Sequence, residues 1–574
     1  MTPPPAHPST PSRYWIAHPW VDLVVGCGGW SLPLLAWSYA LTGDSAREWA
    51  GAFYALALVA NYPHYMATVY RAYGAADRGA HRLYTVHATA ALVALGAVAH
   101  VELRLLPVLF TAYVMWSPWH YSGQNYGLLM MFVRRAGLVI TPARARRLKL
   151  AFIASFVMLL AAFNEGPSAD PTVLSLGLPT TMTRAVGWTA AAMFLALGLP
   201  ALWPVVAGAG IRAAAPLLLF VTQALWFVVP IALSWAAGVA TPQTRYSSGI
   251  LAVMHSVQYL WVTQYFARRD EGAAWRSRAY WTAVGLGGLA LFLPVPWLAS
   301  YVGRVDFTAS VLIVTAVVNL HHFMIDGVVW KLRDPRVGRT LTADAVAGGV
   351  APRRAPVPRW RIPVVAGAAV ALVALAGLDQ WRYQLAQRDT DPAALAAAAR
   401  VNPYDAALQA RLVRALTERG DEAGLRAHFE ANLARDPHDV DTLVNAGVLA
   451  RQQGRQADAE RHWTDAMAHD PGLTHVQLYL AELFDEQGRA DDAARGYRAW
   501  LERVVARSGT APPEPAAVVA VVLKFGDALA RGGHAAEART QFELAEKMAT
   551  RARLADLAEA ARERLGSDPI PVRP

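Results

Sequence analysis

The chain has 574 residues, 55% hydrophobic and 17% charged, with 20 tryptophans. A soluble chain carries about 25% charged residues, so the composition points to a membrane protein. The single cysteine, Cys27, excludes an intramolecular disulfide and a cysteine-based zinc or iron–sulfur site. The net charge of +10 does not signal nucleic acid, because the surplus sits in short loops between apolar runs and sets orientation there.

A bilayer span takes roughly 20 mostly apolar residues. In chain order the runs at 20–42, 49–70, 83–101, 104–133, 148–164, 185–208, 213–238, 247–267, 280–302, 308–330 and 363–382 qualify. They predict an all-α, polytopic bundle of about eleven spans over residues 1–385. The N-terminal segment lacks a basic start, a short apolar core and a small-residue cleavage site, so the first span is expected to be retained. Loops after even-numbered spans hold 22 Lys and Arg residues and those after odd-numbered spans hold 5. The even loops and the N-terminus are therefore expected in the cytoplasm. With eleven spans the C-terminal region lies outside, and one span fewer would reverse that side. Arg144 to Lys149, Arg268-Arg269 and Lys331 to Arg339 read as topology determinants and lipid-headgroup contacts. Ala- and Arg-rich usage suggests a bacterial inner membrane.

Residues 386–570 carry a different signal. Asn402-Pro403, Asp436-Pro437 and Asp470-Pro471 recur every 34 residues, as do Gly420, Gly454 and Gly488, and Phe429, Trp463 and Tyr497. Three position sets sharing this period indicate tetratricopeptide repeats. A degenerate fourth unit runs through Gly533, Ala538 and Phe542, after an insertion containing Ala511 to Pro515. Such solenoids offer a concave face to a protein or peptide partner. His428, His438, His462, His469, His475 and His534 read as surface residues.

Ionisable residues inside a bilayer are costly and are functional candidates. Four segments stand out: Asn61-Tyr62-Pro63-His64-Tyr65, Trp119 to Asn125 around His120, His255-Ser256-Val257-Gln258-Tyr259, and Asn319 to Asp326 around His321 and His322. They fall in four spans that run in the same direction. His64, His120, His255 and His321 lie 7, 14, 13 and 10 residues before the next cytoplasmic basic residue. At about 1.5 Å per residue the spread is about 10 Å, one common layer. Imidazoles converging from separate helices suit iron, zinc, copper or nickel. Gln124 lies four residues after His120, Gln258 three after His255, and Asp326 four after His322, each on its histidine's helix face. These carboxamides and the carboxylate are candidates to orient the rings, and Asp326 could also ligate. His81, His87 and His100 have no companion motif and read as interhelical hydrogen-bonding residues. Most Trp and Tyr residues form interfacial belts. Trp116, Trp119, Tyr121, Tyr126, Tyr259 and Trp261 adjoin the histidines and are expected to line a cavity.

In order, Pro63-His64, His120-Tyr121 to Asn125, His255-Ser256 to Trp261 and His321-His322-Phe323 to Ile325-Asp326 resemble the motifs of the Brp/Blh family of membrane β-carotene dioxygenases. The resemblance covers at most spans 2 to 10. It implies one non-haem iron held by four histidines, activating O2 for cleavage of an isoprenoid double bond. The family's Asp residues correspond to Asn125 and Thr68 here, and a second histidine of its third motif to Tyr259. Spacing to Asp326 favours His321 as the fourth ligand, whereas the following Phe323 favours His322.

The expected protein is thus a metal-dependent membrane oxygenase or related redox enzyme acting on a lipophilic, lipid or isoprenoid substrate with O2. Iron(II) is the expected ion, other transition metals being compatible with the ligands. His64, His120, His255 and His321 or His322 would hold it, and Asp326, Gln124, Asn125, Gln258 and Tyr259 would orient ligands or act on the bound oxygen species. Two alternatives compete: a transport or assembly component whose polar residues line a path, and a transferase with a lipid-linked donor, using His and Asn as base and positioner.

Overall fold

A computed structural model describes residues 14–40, 55–74, 82–168, 170–238, 251–270, 277–332, 335–342, 361–388, 390–506 and 514–566. His81 and most of the insertion around Ala511 to Pro513 lie outside the described residues. The described chain is helical, apart from an isolated bridge between Glu165 and Leu178. It divides into two compact units, residues 1–388 with 393–409, and residues 389–392 with 410–574.

Among the described residues of the first unit, five helical runs are long and apolar enough to cross a membrane: Leu83–Val101, Thr180–Val206, Gly210–Ala237, Tyr280–Gly303 and Phe307–Val329. The other apolar runs are also helical but shorter, interrupted or more polar. The first breaks between Gly26 and Ser31, where Gly28 adopts φ +76°. The helix Leu251–Asp270 carries His255, Gln258, Gln264 and a basic end. The run with His64 is a helix Tyr62–Val69 flanked by two π-helical turns, Ala57–Asn61 and Tyr70–Gly74. Pro63 contributes no amide there, and the Tyr62 amide reaches back to the Ala57 carbonyl. Such widened turns recur at functional sites because they re-aim side chains and free carbonyls.

The helix Ser277–Phe292 packs against this segment at Gly288. A Cβ at Gly288 would come within 2.6 Å of the Tyr62 carbonyl group, so only glycine permits the approach. The helix Phe307–Val329 lies against Leu106–Arg135 and Arg82–Val101. Its first turn is capped by Asp306, which accepts from the Ala309 amide at 3.0 Å.

Residues 393–409 belong with this first unit rather than with the repeats. They dock at the Asp306 end of Phe307–Val329. The Phe307 amide donates to the Tyr404 carbonyl at 2.9 Å, and the Ala406 amide to Asp306 Oδ1 at 3.0 Å. Arg382 bridges Asp379 at 2.9 Å and Asp405 at 2.8 Å, with its guanidinium 4.2 Å from the Phe307 ring centre.

The second unit is a series of antiparallel helix pairs, among them Val440–Gln452 with Gln456–His469, Thr474–Glu486 with Ala490–Ala506, and Pro515–Arg531 with Ala535–Arg551. The periodic residues have separate physical roles. The Oδ1 atoms of Asn402, Asp436 and Asp470 each accept the amide two residues on, at 3.1, 3.0 and 2.8 Å, a side-chain mimic of a backbone turn. Gly420, Gly454, Gly488 and Gly533 sit at φ +66°, +71°, +73° and +81°, where a Cβ would be strained. Phe429, Trp463, Tyr497 and Phe542 are buried between helices. Trp463 and Phe542 fill the space left by Gly447 and Gly526 on the facing helix.

Candidate metal centre

Four helices of the first unit bring a histidine to one point. His64 comes from Tyr62–Val69, His120 from Leu106–Arg135, His255 from Leu251–Asp270 and His322 from Phe307–Val329. His64, His255 and His322 are buried to within 2% of full burial. His64 Nε2 and His322 Nε2 are 3.2 Å apart, and His255 Nε2 and His322 Nε2 3.4 Å apart. The His120 ring centre lies 4.7 Å from those of both His255 and His322. Two clusters share His322: His64 with His255, and His120 with Asp326.

Hydrogen bonds at the outer nitrogens decide where the ring protons sit. His64 Nδ1 is 2.6 Å from the Asn61 carbonyl, which can only accept, so Nδ1 carries the proton. The Ser256 hydroxyl, 3.0 Å from the same nitrogen, braces the ring. His322 Nδ1 is 2.7 Å from Thr68 Oγ1, which donates to the Tyr259 hydroxyl at 2.7 Å, which in turn donates to Asp326 Oδ1 at 2.8 Å. The Trp330 indole also donates to Tyr259, at 3.0 Å. With Asp326 ionised, this chain ends on an acceptor and Thr68 accepts from His322 Nδ1–H. Both Nε2 atoms are then lone-pair donors pointing inward.

Two such nitrogens facing each other at 3.2 Å with no proton between them repel, and a cation between them removes the conflict. The spacing fits: ligands at about 2.1 Å from one ion and roughly 90–109° apart lie about 3.0–3.4 Å from each other. His120 Nε2 supports the same reading, since it is buried and makes no hydrogen bond among the described residues. It lies 3.8 Å from Asp326 Oδ2, which is also 3.5 Å from His322 Nε2. The residues present therefore suit a transition metal held by imidazoles, with the free oxygen of Asp326 beside it.

His321 is directed elsewhere. Its Nε2 lies 2.9 Å from Thr89 Oγ1 and 3.4 Å from the Tyr73 hydroxyl, outside the cluster. On a helix, adjacent residues diverge by about 100°, so only one of the pair can face the centre. Gln124, Asn125 and Gln258 make no hydrogen bond to a histidine ring among the described residues. Gln124 donates to the His255 carbonyl at 3.3 Å and to Gln258 at 3.1 Å, and Asn125 donates to Gln223 at 2.9 Å. They tie neighbouring helices together. The ring-orienting roles fall instead to Asn61, Ser256 and Thr68. Thr68 was findable from its place four residues after His64, one helical turn on, facing the same layer.

Beside the cluster is a cavity of about 520 Å³ whose wall includes His120, Asp326, Tyr259, Trp116, Trp119 and Tyr126. Of the other aromatics expected there, Tyr121 is buried with its ring 4.6 Å from that of His255, and Trp261 packs on Phe132 and donates to Asp22. His87 and His100 each bond a carbonyl one turn back on their own helix, at 2.7 and 2.8 Å, and neither bonds a neighbouring helix among the described residues.

The chain matches no protein-family model and no curated protein.

Proposed function

We propose that this protein is an integral-membrane, metal-dependent oxygenase-type redox enzyme acting on a lipid or isoprenoid-like substrate, with a tetratricopeptide-repeat solenoid that recruits a partner. The observation that carries the reading is the pair of facing Nε2 lone pairs on His64 and His322, 3.2 Å apart, with both ring protons committed outward. His64, His255 and His322 would hold the ion, with His120 completing the set. Iron(II) held there would supply one-electron redox chemistry with O2 at positions the protein leaves open.

The chain's own residues do the rest. Asp326 keeps Oδ1 on Tyr259 and turns Oδ2 towards the centre, where it can ligate or take up a proton. Phe323 stacks on His120 with ring centres 4.6 Å apart, fixing the histidine of the set that lines the cavity. The apolar and aromatic wall excludes water from the reacting groups.

The loop bias in Lys and Arg supports a cytoplasmic position for the Lys331 end of Phe307–Val329. Residues 393–409 dock at its opposite, Asp306 end, which favours an extracytoplasmic start for the repeats. The 34-residue period with its glycine turns and buried aromatics supports the solenoid assignment.

The test uses iron-loaded protein in lipid nanodiscs supplied with a lipid extract. Oxygen consumption coupled to a mass-shifted lipid product is expected, falling at least 10-fold in Asp326→Asn. Full iron occupancy with no oxygen consumption on any lipid fraction contradicts the reading. The transport alternative draws on the π-helical turns at Ala57–Asn61 and Ala224–Val228; it predicts solute flux in liposomes that is indifferent to O2.

A further inference from the structure

The cavity beside the metal centre is graded in character. Its deep part is formed by His120 and Asp326, and its only other charged lining residues among those described are Lys149 and Lys331. Both lysines are exposed, and neither forms an ion pair among the described residues. They stand at the two basic segments next to the membrane boundary, Lys149 in the first turns of Pro142–Phe163 and Lys331 just past the end of Phe307–Val329. Lys331 follows Asp326 by five residues, a rise of about 7.5 Å if the helical path is continued past Val329.

Three glycines create the space between. Gly123, Gly127 and Gly327 all line the cavity, and a Cβ at any of them would meet nothing within 4 Å. None adopts a positive φ. They are in helices, where glycine costs stability, and neither close packing nor backbone conformation requires them. Their missing side chains are cavity volume. The remaining wall is largely aromatic and aliphatic, including Trp116, Trp119 and Phe323.

We propose that this cavity takes a single-chain amphiphile with an anionic head group, carboxylate or phosphate, its head on Lys149 and Lys331 and the near part of its chain passing the three glycines towards Asp326. A volume of about 520 Å³ is in the range of a pocket for one small ligand. Two cations at the mouth, with no ion-pair partner among the described residues, select against a neutral hydrocarbon and for an acid. The inference deepens the enzymatic reading and rests on it only for what happens at the deep end; binding itself stands alone.

The test is photolabelling of full-length protein in nanodiscs with a diazirine-bearing C16 fatty acid or its methyl ester, the labelled peptides being mapped by mass spectrometry. The acid is expected to label the 116–131 segment with a half-saturating concentration at least 10-fold below that of the ester. Lys149→Glu/Lys331→Glu, and the milder Lys149→Gln/Lys331→Gln, should abolish that preference without lowering ester labelling. Gly127→Leu should remove both labels. Palmitate should compete with the acid probe; hexadecyl phosphate competing at least 10-fold more strongly than palmitate assigns a phosphate head, and the converse a carboxylate head. Equal labelling by acid and ester, or a preference that survives both lysine variants, overturns the proposal. Iron measured on the same samples separates the two readings: selective labelling without iron sinks the metal reading alone, and iron without selectivity sinks this one alone.

Discussion

The two units solve opposite problems with their polar residues. In the repeat unit charged side chains pair at the surface, as in Arg455 with Asp458 at 2.7 Å and Arg489 with Glu460 at 2.9 Å, while the interior is apolar and aromatic. In the first unit the polar residues are inside. His64, Thr68, His255, Tyr259, His322 and Asp326 form one buried set, linked through hydrogen bonds that leave several nitrogens aimed at a common point. Polar groups are expensive away from water, and a buried set this dense, with lone pairs turned inward, is one that could hold a metal ion. The surface pairs of the repeats carry no such implication, since exposed ion pairs are worth about 0–1 kcal/mol. Location, rather than number, makes a histidine informative.

That contrast can be broken by damaging each unit separately. The largest effect is expected from Trp463→Ala, which empties a fully buried site in the repeats and removes the bond from its indole to the Val444 carbonyl. A loss of about 3–5 kcal/mol is expected for the repeat unit, read by denaturant unfolding, with metal content unchanged. Metal loss in this variant would show that the two units are coupled.

Thr68→Val comes next. It preserves shape but cuts the link from His322 to Tyr259 and Asp326. Loss of such an outer partner typically weakens metal affinity about 10–100-fold, measurable by chelator competition, with little change in helix content. An unchanged affinity would mean that the hydrogen-bonded chain does not set the ring's proton. The smallest effect is expected for Gly454→Ala, where φ is +71°. A cost of about 1–2 kcal/mol follows from placing a Cβ in the left-handed region, confined to the repeat unit's melting transition.

The two units also differ in how much the sequence discloses. The repeats are legible almost residue by residue, because each periodic position has one local function, with Asp436 mimicking a turn, Gly454 taking the left-handed conformation and Trp463 wedging between helices. None of these local functions names a partner. In the first unit the histidines stand out against an apolar background, and their depth could be counted from the basic loops. Which face each ring takes could not be counted. Choosing His322 over His321 depends on helix rotation, which two adjacent histidines leave open. Gln124 and Gln258 share a face with their histidines, yet Gln124 bonds a backbone carbonyl and Gln258, because helix spacing fixes proximity and not donor geometry. Asn61 and Ser256 orient the His64 ring from a π-helical turn and from another helix, relations that no local pattern encodes. Helix spacing from His64 brings Thr68 to the right layer but does not say that it meets His322.

The adjacent pair offers the most direct test of the metal centre. Iron per chain should be measured on purified wild type, His322→Ala and His321→Ala after identical reconstitution with iron(II) and removal of excess. The geometry predicts near-stoichiometric iron in wild type and His321→Ala, and loss of at least nine-tenths of it in His322→Ala. Equal iron in all three, or loss confined to His321→Ala, would contradict a centre built on the inward-facing ring.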